Sequence, residues 1–134
     1  MTAFTIPTNR LHGESTLCTR RTSNARAIAR FSGTLIPADQ FCNGYVSEGN
    51  ESAALIIKKV AVSCGINPRT LIVLLEKESS LVTDPWPLQW QYRQATGMGC
   101  PDDADCNPTF GGFLKQVFYG ARSFKRYITN PTEF

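Results

Sequence analysis

INPRTLIVLLEKESSLV, residues 66–82, is the stretch whose reading decides the fold. Asn67 can cap the free amides of a helix start, and Pro68 at the first helical position has no amide to leave unpaired. The spacing predicts a helix from Pro68 to about Leu81 or Val82. Leu71, Leu74, Leu75, Glu78, Leu81 and Val82 follow the i, i+3, i+4, i+7 pattern of a core-facing stripe, and Glu78 is its only charged member. Glu76 lies about 200° round the axis from Glu78 and is expected in solvent. A carboxyl group lodged among leucines is desolvated. That penalises its charged form and raises its pKa, which suits a general acid working near neutral pH. The competing reading puts Glu78 at the end of the stripe, turned outward or accepting a core hydrogen bond, with no chemistry.

Working outward, Cys64-Gly65 closes a preceding helix over Glu51 to Cys64, with Asn50 placed to cap it and Ala54, Ile57, Val60 and Ala61 on its inner face. Downstream, Pro85, Pro87, Pro101 and Pro108 with Gly97 and Gly99 make residues 83–109 mostly loop, with one short helix around Leu88 to Gln94. From Gly111 or Gly112 to Ile128, the spacing of Phe113, Val117, Ala121, Phe124 and Ile128 predicts a third amphipathic helix. Lys115, Arg122, Lys125 and Arg126 fall mostly off that stripe, and Asn130-Pro131 ends it. Residues 1–45 are rich in turn formers and read as an irregular lead segment, with a single short helical candidate at Ser23 to Phe31. The expectation is a mainly α domain over residues 46–134 behind that segment.

The 134 residues suit one domain, and 42% hydrophobic with 19% charged residues is a globular composition. A net charge of +3 is too mild for a nucleic-acid binder. Arg10, Arg20, Arg21, Arg26 and Arg30 give the first part a basic lean that suits either an anionic cell wall or a solvated surface. No run approaches the ~20 apolar residues of a membrane span, and Met1 to Ser15 lacks the apolar core of an export signal. A protein sent outside the cell needs an export signal, so either one has been removed or the chain is a piece of a longer polypeptide, and the piece is the favoured expectation. Of five cysteines, Cys100 and Cys106 flank the turn-forming PDDAD and are expected to close a short disulfide loop in oxidising surroundings. Pairing among Cys18, Cys42 and Cys64 is left open. Zinc is disfavoured, because no CxxC pair is present and the only histidine, His12, is distant in sequence. No metal or other cofactor is expected.

A glycan site needs flat aromatic surface for sugar faces, with amides and hydroxyls for sugar substituents. Trp86, Gln89, Trp90, Gln91, Tyr92, Arg93, Gln94 and Thr96 supply both shortly after Glu78. The bland alternative makes Trp86 and Trp90 core residues. Gly97 and Gly99 let backbone approach a ligand closely, or serve a tight turn.

On these residues the chain resembles the lytic transglycosylase and goose-type lysozyme families. In those families an Asn-Pro or Asp-Pro start leads through apolar residues to a Glu-Ser pair, here Glu78-Ser79. The following ATGMG, residues 95–99, is similar to their glycine motif beside the cleft, and GARSFKRY, residues 120–127, to the helix behind it. A closer resemblance, over about residues 30–130, is to lysozyme-like domains of secreted actinobacterial proteins that carry LLxLLxKEQxLVTD and WQYRxATGxGCPD with a further cysteine. The resemblance implies a lysozyme-like fold in which Glu78 is the catalytic acid. Ser79 would be its supporting neighbour, Thr96, Gly97 and Met98 the cleft wall for an N-acetyl sugar, and Tyr127 a tyrosine near the cleft; Trp90, Gln91 and Tyr92 are expected as further substrate contacts from their aromatic and amide chemistry, not from the resemblance. Two departures stand out. The family's glutamine after the glycine motif falls on Cys100, which passes its contact to Gln91 or Gln94, and the chain stops at Phe134 before any Tyr-Asn motif that would complete the cleft.

Glycosidases of the usual kind need two carboxylates. Asp84, Asp102, Asp103 and Asp105 are available, but each fits a turn or surface role better. A transglycosylase uses one carboxyl group as acid and then base, so the resemblance implies peptidoglycan cleavage between N-acetylmuramic acid and N-acetylglucosamine, outside the cell or in its wall, host-encoded or phage-associated. The alternative is a degenerate lysozyme-like module that grips glycan, on a phage particle or surface protein, without cutting it.

Overall fold

The computed structural model describes Arg30, Phe31 and residues 35–132. Among these, the chain is mainly helical. A two-residue strand β1, Arg30–Phe31, pairs antiparallel with β2, Glu51–Ser52, in the register Arg30 with Ser52 and Phe31 with Glu51. Helix α1 spans Ala53–Cys64, α2 Pro68–Ser79, α3 Gln89–Arg93 and α4 Phe113–Thr129, with a 3₁₀ turn at Pro108–Phe110. No helix among the described residues is long and apolar enough to cross a membrane.

The start and stop signals act largely as expected. Asn67 Oδ1 accepts from the Arg69 amide at 2.9 Å with Pro68 in the first turn of α2. Gly65 ends α1 in the left-handed region at φ 61°, and Ile66 N–H bonds back to Ala61 O at 3.0 Å. The cap of α1 is Ser52, whose Oγ accepts from the Leu55 amide, not Asn50. The helix therefore starts two residues later, because Glu51 is committed to the strand. Its inner face is Ile56, Val60, Ala61 and Cys64, whereas the expected Ala54 is exposed and Ile57 half-buried. In α4 the buried face is Phe113, Gln116, Val117, Gly120 and Ala121 with Leu114 and Phe118, and Ile128 is exposed beyond the end of the core.

Helix α4 lies chiefly against α1 and also touches α2 and α3, so the core is the space among Ile56, Val60, Leu71, Leu75, Val117 and Phe118. Residues 36–45, expected as lead segment, close one side of it. Ile36, Phe41, Cys42 and Tyr45 are all buried, Ile36 bridges Tyr45, and Cys42 is disulfide-bonded to Cys64 at the end of α1. Arg122 of α4 pairs with Asp39 from outside and lies over the Phe41 ring. The helix expected at Ser23 to Phe31 ends instead in strand at Arg30–Phe31. Its earlier part, Cys18 and the basic residues Arg10, Arg20, Arg21 and Arg26 lie outside the described residues. Phe31 stacks on Phe113 with centroids 4.4 Å apart and tilts against Tyr92 at 5.3 Å, tying β1 to α3 and α4.

Glu51 is the carboxylate that the fold does bury, at 2% exposure. It accepts from Lys59 Nζ at 2.7 Å, Tyr45 OH at 2.9 Å and Ser47 Oγ at 3.0 Å. Burial alone pushes this carboxyl up, but those hydrogen bonds outweigh it and hold the group below its ordinary 4.5. The Tyr45 phenol is pushed up by burial and by donating to Glu51.

Two outcomes follow. Because the folded value of Glu51 lies below the unfolded one, its contribution to stability is complete above the unfolded value and is lost as the pH falls through the folded one. The melting temperature should fall as the pH drops below the ordinary carboxyl value of 4.5, and Glu51→Gln should lower it at neutral pH while flattening that slope. An unaltered slope would assign the acid sensitivity elsewhere. Replacing Cys42 and Cys64 together by Ala reopens a loop of sequence separation 22, and denaturant titration should read a loss of about 3 kcal/mol.

Candidate functional site

The end of α2 carries the candidate site. Ser80 takes a left-handed conformation at φ 52°, and its amide bonds back to Glu76 O at 2.9 Å, so the helix stops at Ser79, short of the expected Leu81 or Val82. Its buried face is Leu71, Leu75 and Ser79, an i, i+4, i+8 line. That line sets the phase of the helix, and Glu78 falls on the rim of the face instead of in it. The residue is exposed, its side chain retains 31% exposure, and its Oε1 accepts from Lys77 Nζ at 2.9 Å. The expected burial of Glu78 among leucines is thereby corrected: one step round the helix, Ser79 takes the inner position. Glu76 is not in open solvent either, since its carboxylate accepts from the Val82 and Thr83 amides and the Thr83 hydroxyl, closing the turn after α2.

Ser79 is a bolt between segments. Its Oγ donates to Ala95 O at 3.1 Å and to Gln94 O at 3.4 Å. Gln91, buried at 6%, donates from Nε2 to Ser79 O at 2.9 Å and Asp84 Oδ2 at 3.0 Å, while its Oε1 accepts the Leu88 amide. All its polar atoms are thus engaged inside the protein, and Gln91 has none left for a sugar. Asp84 also accepts the Trp86 amide, and the Gln91 hydrogen bond holds its carboxyl below the usual range, so it is a charged turn anchor. Tyr92 packs with Phe31 and Phe113.

Beyond α3 the chain makes a tight turn against the rim of α2. Gly97 N–H donates to Gln94 O at 2.9 Å and Cys100 N–H to Gly97 O at 3.1 Å. Gly97 sits at φ 67°, and a Cβ there would come within 3.3 Å of Glu78 Oε2, so bare backbone faces the carboxylate. At Gly99, φ 72°, a Cβ would strike the Phe110 ring at 2.5 Å. Thr96 is buried, and Met98 is half-buried. Both are held by Gln116 of α4, whose Oε1 accepts from Thr96 N at 3.0 Å and Met98 N at 3.1 Å and whose Nε2 donates to Met98 O at 2.8 Å and Phe110 O at 2.9 Å. Gly120, one turn on, lets Thr96 and Leu74 approach α4 directly. The structure thus brings Glu78, Ser79, Thr96, Gly97 and Met98 together. Tyr127 lies two turns past Gly120, half-exposed at 49%.

A second feature adjoins this turn. Trp90, Arg93 and Gln94 on one side and Asn107, Pro108, Gly111 and Gly112 on the other line a cleft of about 520 Å³, rimmed by the Cys100–Cys106 disulfide and floored by Gln116. That disulfide was expected. Trp90 is 51% exposed and Trp86 70%, so neither is a core residue. Gln116, the organiser of both features, was not singled out in the sequence. The signal was present, since it is the one polar side chain on the stripe Phe113, Gln116, Val117, Gly120 and is 1% exposed.

No known protein family, curated protein or solved structure matches the chain.

Gln116→Leu would keep the volume but strand the Thr96 and Met98 amides and the Met98 and Phe110 carbonyls that Gln116 satisfies. Denaturant titration should show a loss of about 3 kcal/mol. Amide hydrogen exchange at residues 96–98 should accelerate more than in α1. Uniform acceleration would mean that Gln116 does not hold that turn in particular.

Proposed function

We propose that the protein is a lysozyme-like glycosidase that cleaves peptidoglycan glycan strands, as a lytic transglycosylase or a muramidase, with Glu78 as its single general acid and base. The observation that carries this reading is the approach of the Glu78 carboxylate to the side-chain-free backbone of Gly97, within a turn fixed from behind by Gln116. A sugar laid on that turn would meet the carboxyl group with no side chain between them. The sugar would also exclude water from a group that is exposed in its absence, and so supply the dehydration that proton transfer to a glycosidic oxygen requires.

In the proposed reaction, Glu78 donates its proton to the oxygen between N-acetylmuramic acid and N-acetylglucosamine as that bond breaks. The carboxylate then takes a proton from whichever hydroxyl attacks the muramyl C1. If this is the substrate's own 6-hydroxyl, an anhydro ring closes; if it is water, a reducing end forms. Asp84 is engaged by Gln91 and the Trp86 amide, which favours the single-carboxylate route over a two-carboxylate one. The two disulfides suit an oxidising compartment, in keeping with action at a cell wall outside the cytosol.

One observation favours a second reading. Glu78 is exposed and ion-paired with Lys77, as expected of a surface residue in a module that grips glycan without cutting it. Digestion of purified peptidoglycan followed by mass spectrometry separates the three: anhydro ends for a transglycosylase, reducing ends for a hydrolase, no released fragments for a binder. The expected result is release by the wild-type chain and a loss of at least about a hundredfold for Glu78→Gln at unchanged melting temperature. Equal release by that variant would end the assignment of Glu78.

A further inference from the structure

The geometry points to a separate binding function for the cleft between α3 and the disulfide loop: it takes a pyranose that carries a carboxylate. Among the described residues lining it, Arg93 is the one charged side chain. No carboxylate among the described residues pairs with that guanidinium, although Asp102, Asp103 and Asp105 stand exposed in the neighbouring loop. Trp90 offers a half-exposed indole on which no ring of the described residues stacks. Trp86 at 70% and Leu88 at 60% exposure add apolar surface just before Trp90, interrupted by the buried Pro87 and the polar Gln89.

These groups differ in what they select. An indole face accepts the C–H face of a sugar ring. A guanidinium fork matches a carboxylate through paired N–H donors and has no comparable partner in a neutral sugar. Asn107, which lines the cleft, uses Oδ1 to cap the 3₁₀ turn through the Thr109 amide, so the donor it can offer a ligand is its NH₂. The volume of about 520 Å³ falls in the range of small-molecule sites. The walls are fixed before any ligand arrives. Arg93 O accepts the Gly112 amide at 3.1 Å across the cleft floor, Gln116 ties Met98 to Phe110, and the Cys100–Cys106 bond closes the far rim. Gln94 joins the cleft to the Glu78 turn, since its carbonyl accepts from Gly97 N–H and Ser79 Oγ. Naming the sugar as a muramyl residue that carries no stem peptide, so that its lactyl carboxylate is free, rests on the proposed function; the requirement for a carboxylate-bearing pyranose does not.

The test is a tryptophan-fluorescence titration of the full chain with the N-acetylglucosaminyl-N-acetylmuramic acid disaccharide, which lacks the bond to be cut. Its carboxyl-reduced alcohol and a glucuronate-containing disaccharide are titrated in parallel. The acid should bind at least about tenfold more tightly than the alcohol. Arg93→Leu should bring the acid down to the level of the alcohol and leave the alcohol unchanged, Arg93→Lys should keep part of the difference, and Trp90→Ala should weaken both. Equal affinity for acid and alcohol, or a preference that survives Arg93→Leu, overturns the proposal. Tighter binding of the glucuronate sugar would keep the carboxylate cleft and count against the peptidoglycan reading. None of these readouts uses Glu78, so its assignment stands or falls independently.

Discussion

The carboxamide of Gln116 is the interaction on which the candidate functional face depends. It is buried on the inner stripe of α4 and uses both ends, accepting from the Thr96 and Met98 amides and donating to the Met98 and Phe110 carbonyls. A loop such as 94–112 has backbone groups that must find partners once solvent is excluded, and this loop has no strand to provide them. One side chain from the most extensively packed helix provides them instead. The turn beside Glu78 and the cleft beside Trp90 are therefore two faces of one hydrogen-bonded unit, and the position of each follows from the rotation of α4 in the core.

That rotation has its own anchors. The helical core is small, and the chain reinforces it by covalent and aromatic ties: Cys42–Cys64 fastens residues 36–45 to the end of α1, and Phe31 wedges against Phe113 and Tyr92. Glu51 belongs to the same scheme. A carboxylate at 2% exposure would be costly alone, but here Lys59, Tyr45 and Ser47 converge on it, so the strand before α1 is held by a satisfied polar cluster.

Local chemistry was the legible part of the sequence. Asn67-Pro68 and Cys64-Gly65 encode helix ends through groups that act within a few residues, and Cys100 and Cys106 are close enough in sequence that the turn between them decides the pairing. Phase was harder to read. An apolar stripe on α2 accommodates either Glu78 or Ser79 on its inner line, and the choice is made by Ala95 and Gln94, whose carbonyls receive the Ser79 hydroxyl from a loop fifteen and more residues away. No local signal carries that information. The same holds for Ser80, a non-glycine in the left-handed region that stops the helix early, and for Glu51, whose partners Tyr45 and Lys59 lie on either side of the strand. Gln116, like Glu78, is a lone polar residue on an apolar stripe, and it is the one of the two that is truly buried.

A lone polar residue on an apolar stripe thus meets a different fate at each of the two positions. At Gln116 a polar group in the stripe is buried and serves the fold. At Glu78 the polar group has slipped to the rim, and among the described residues only Lys77 pairs with it, which leaves it available to something outside the protein. A carboxylate in that position does not carry its low-dielectric surroundings with it; a ligand has to bring them. The Gly97 backbone is bare on that side, and the rigid wall behind it cannot retreat, so a sugar ring pressed against the turn would displace water from the carboxylate without displacing the protein. On this argument the proposed chemistry depends less on the environment of Glu78 in the free chain than on how firmly the adjoining surface holds a glycan over it.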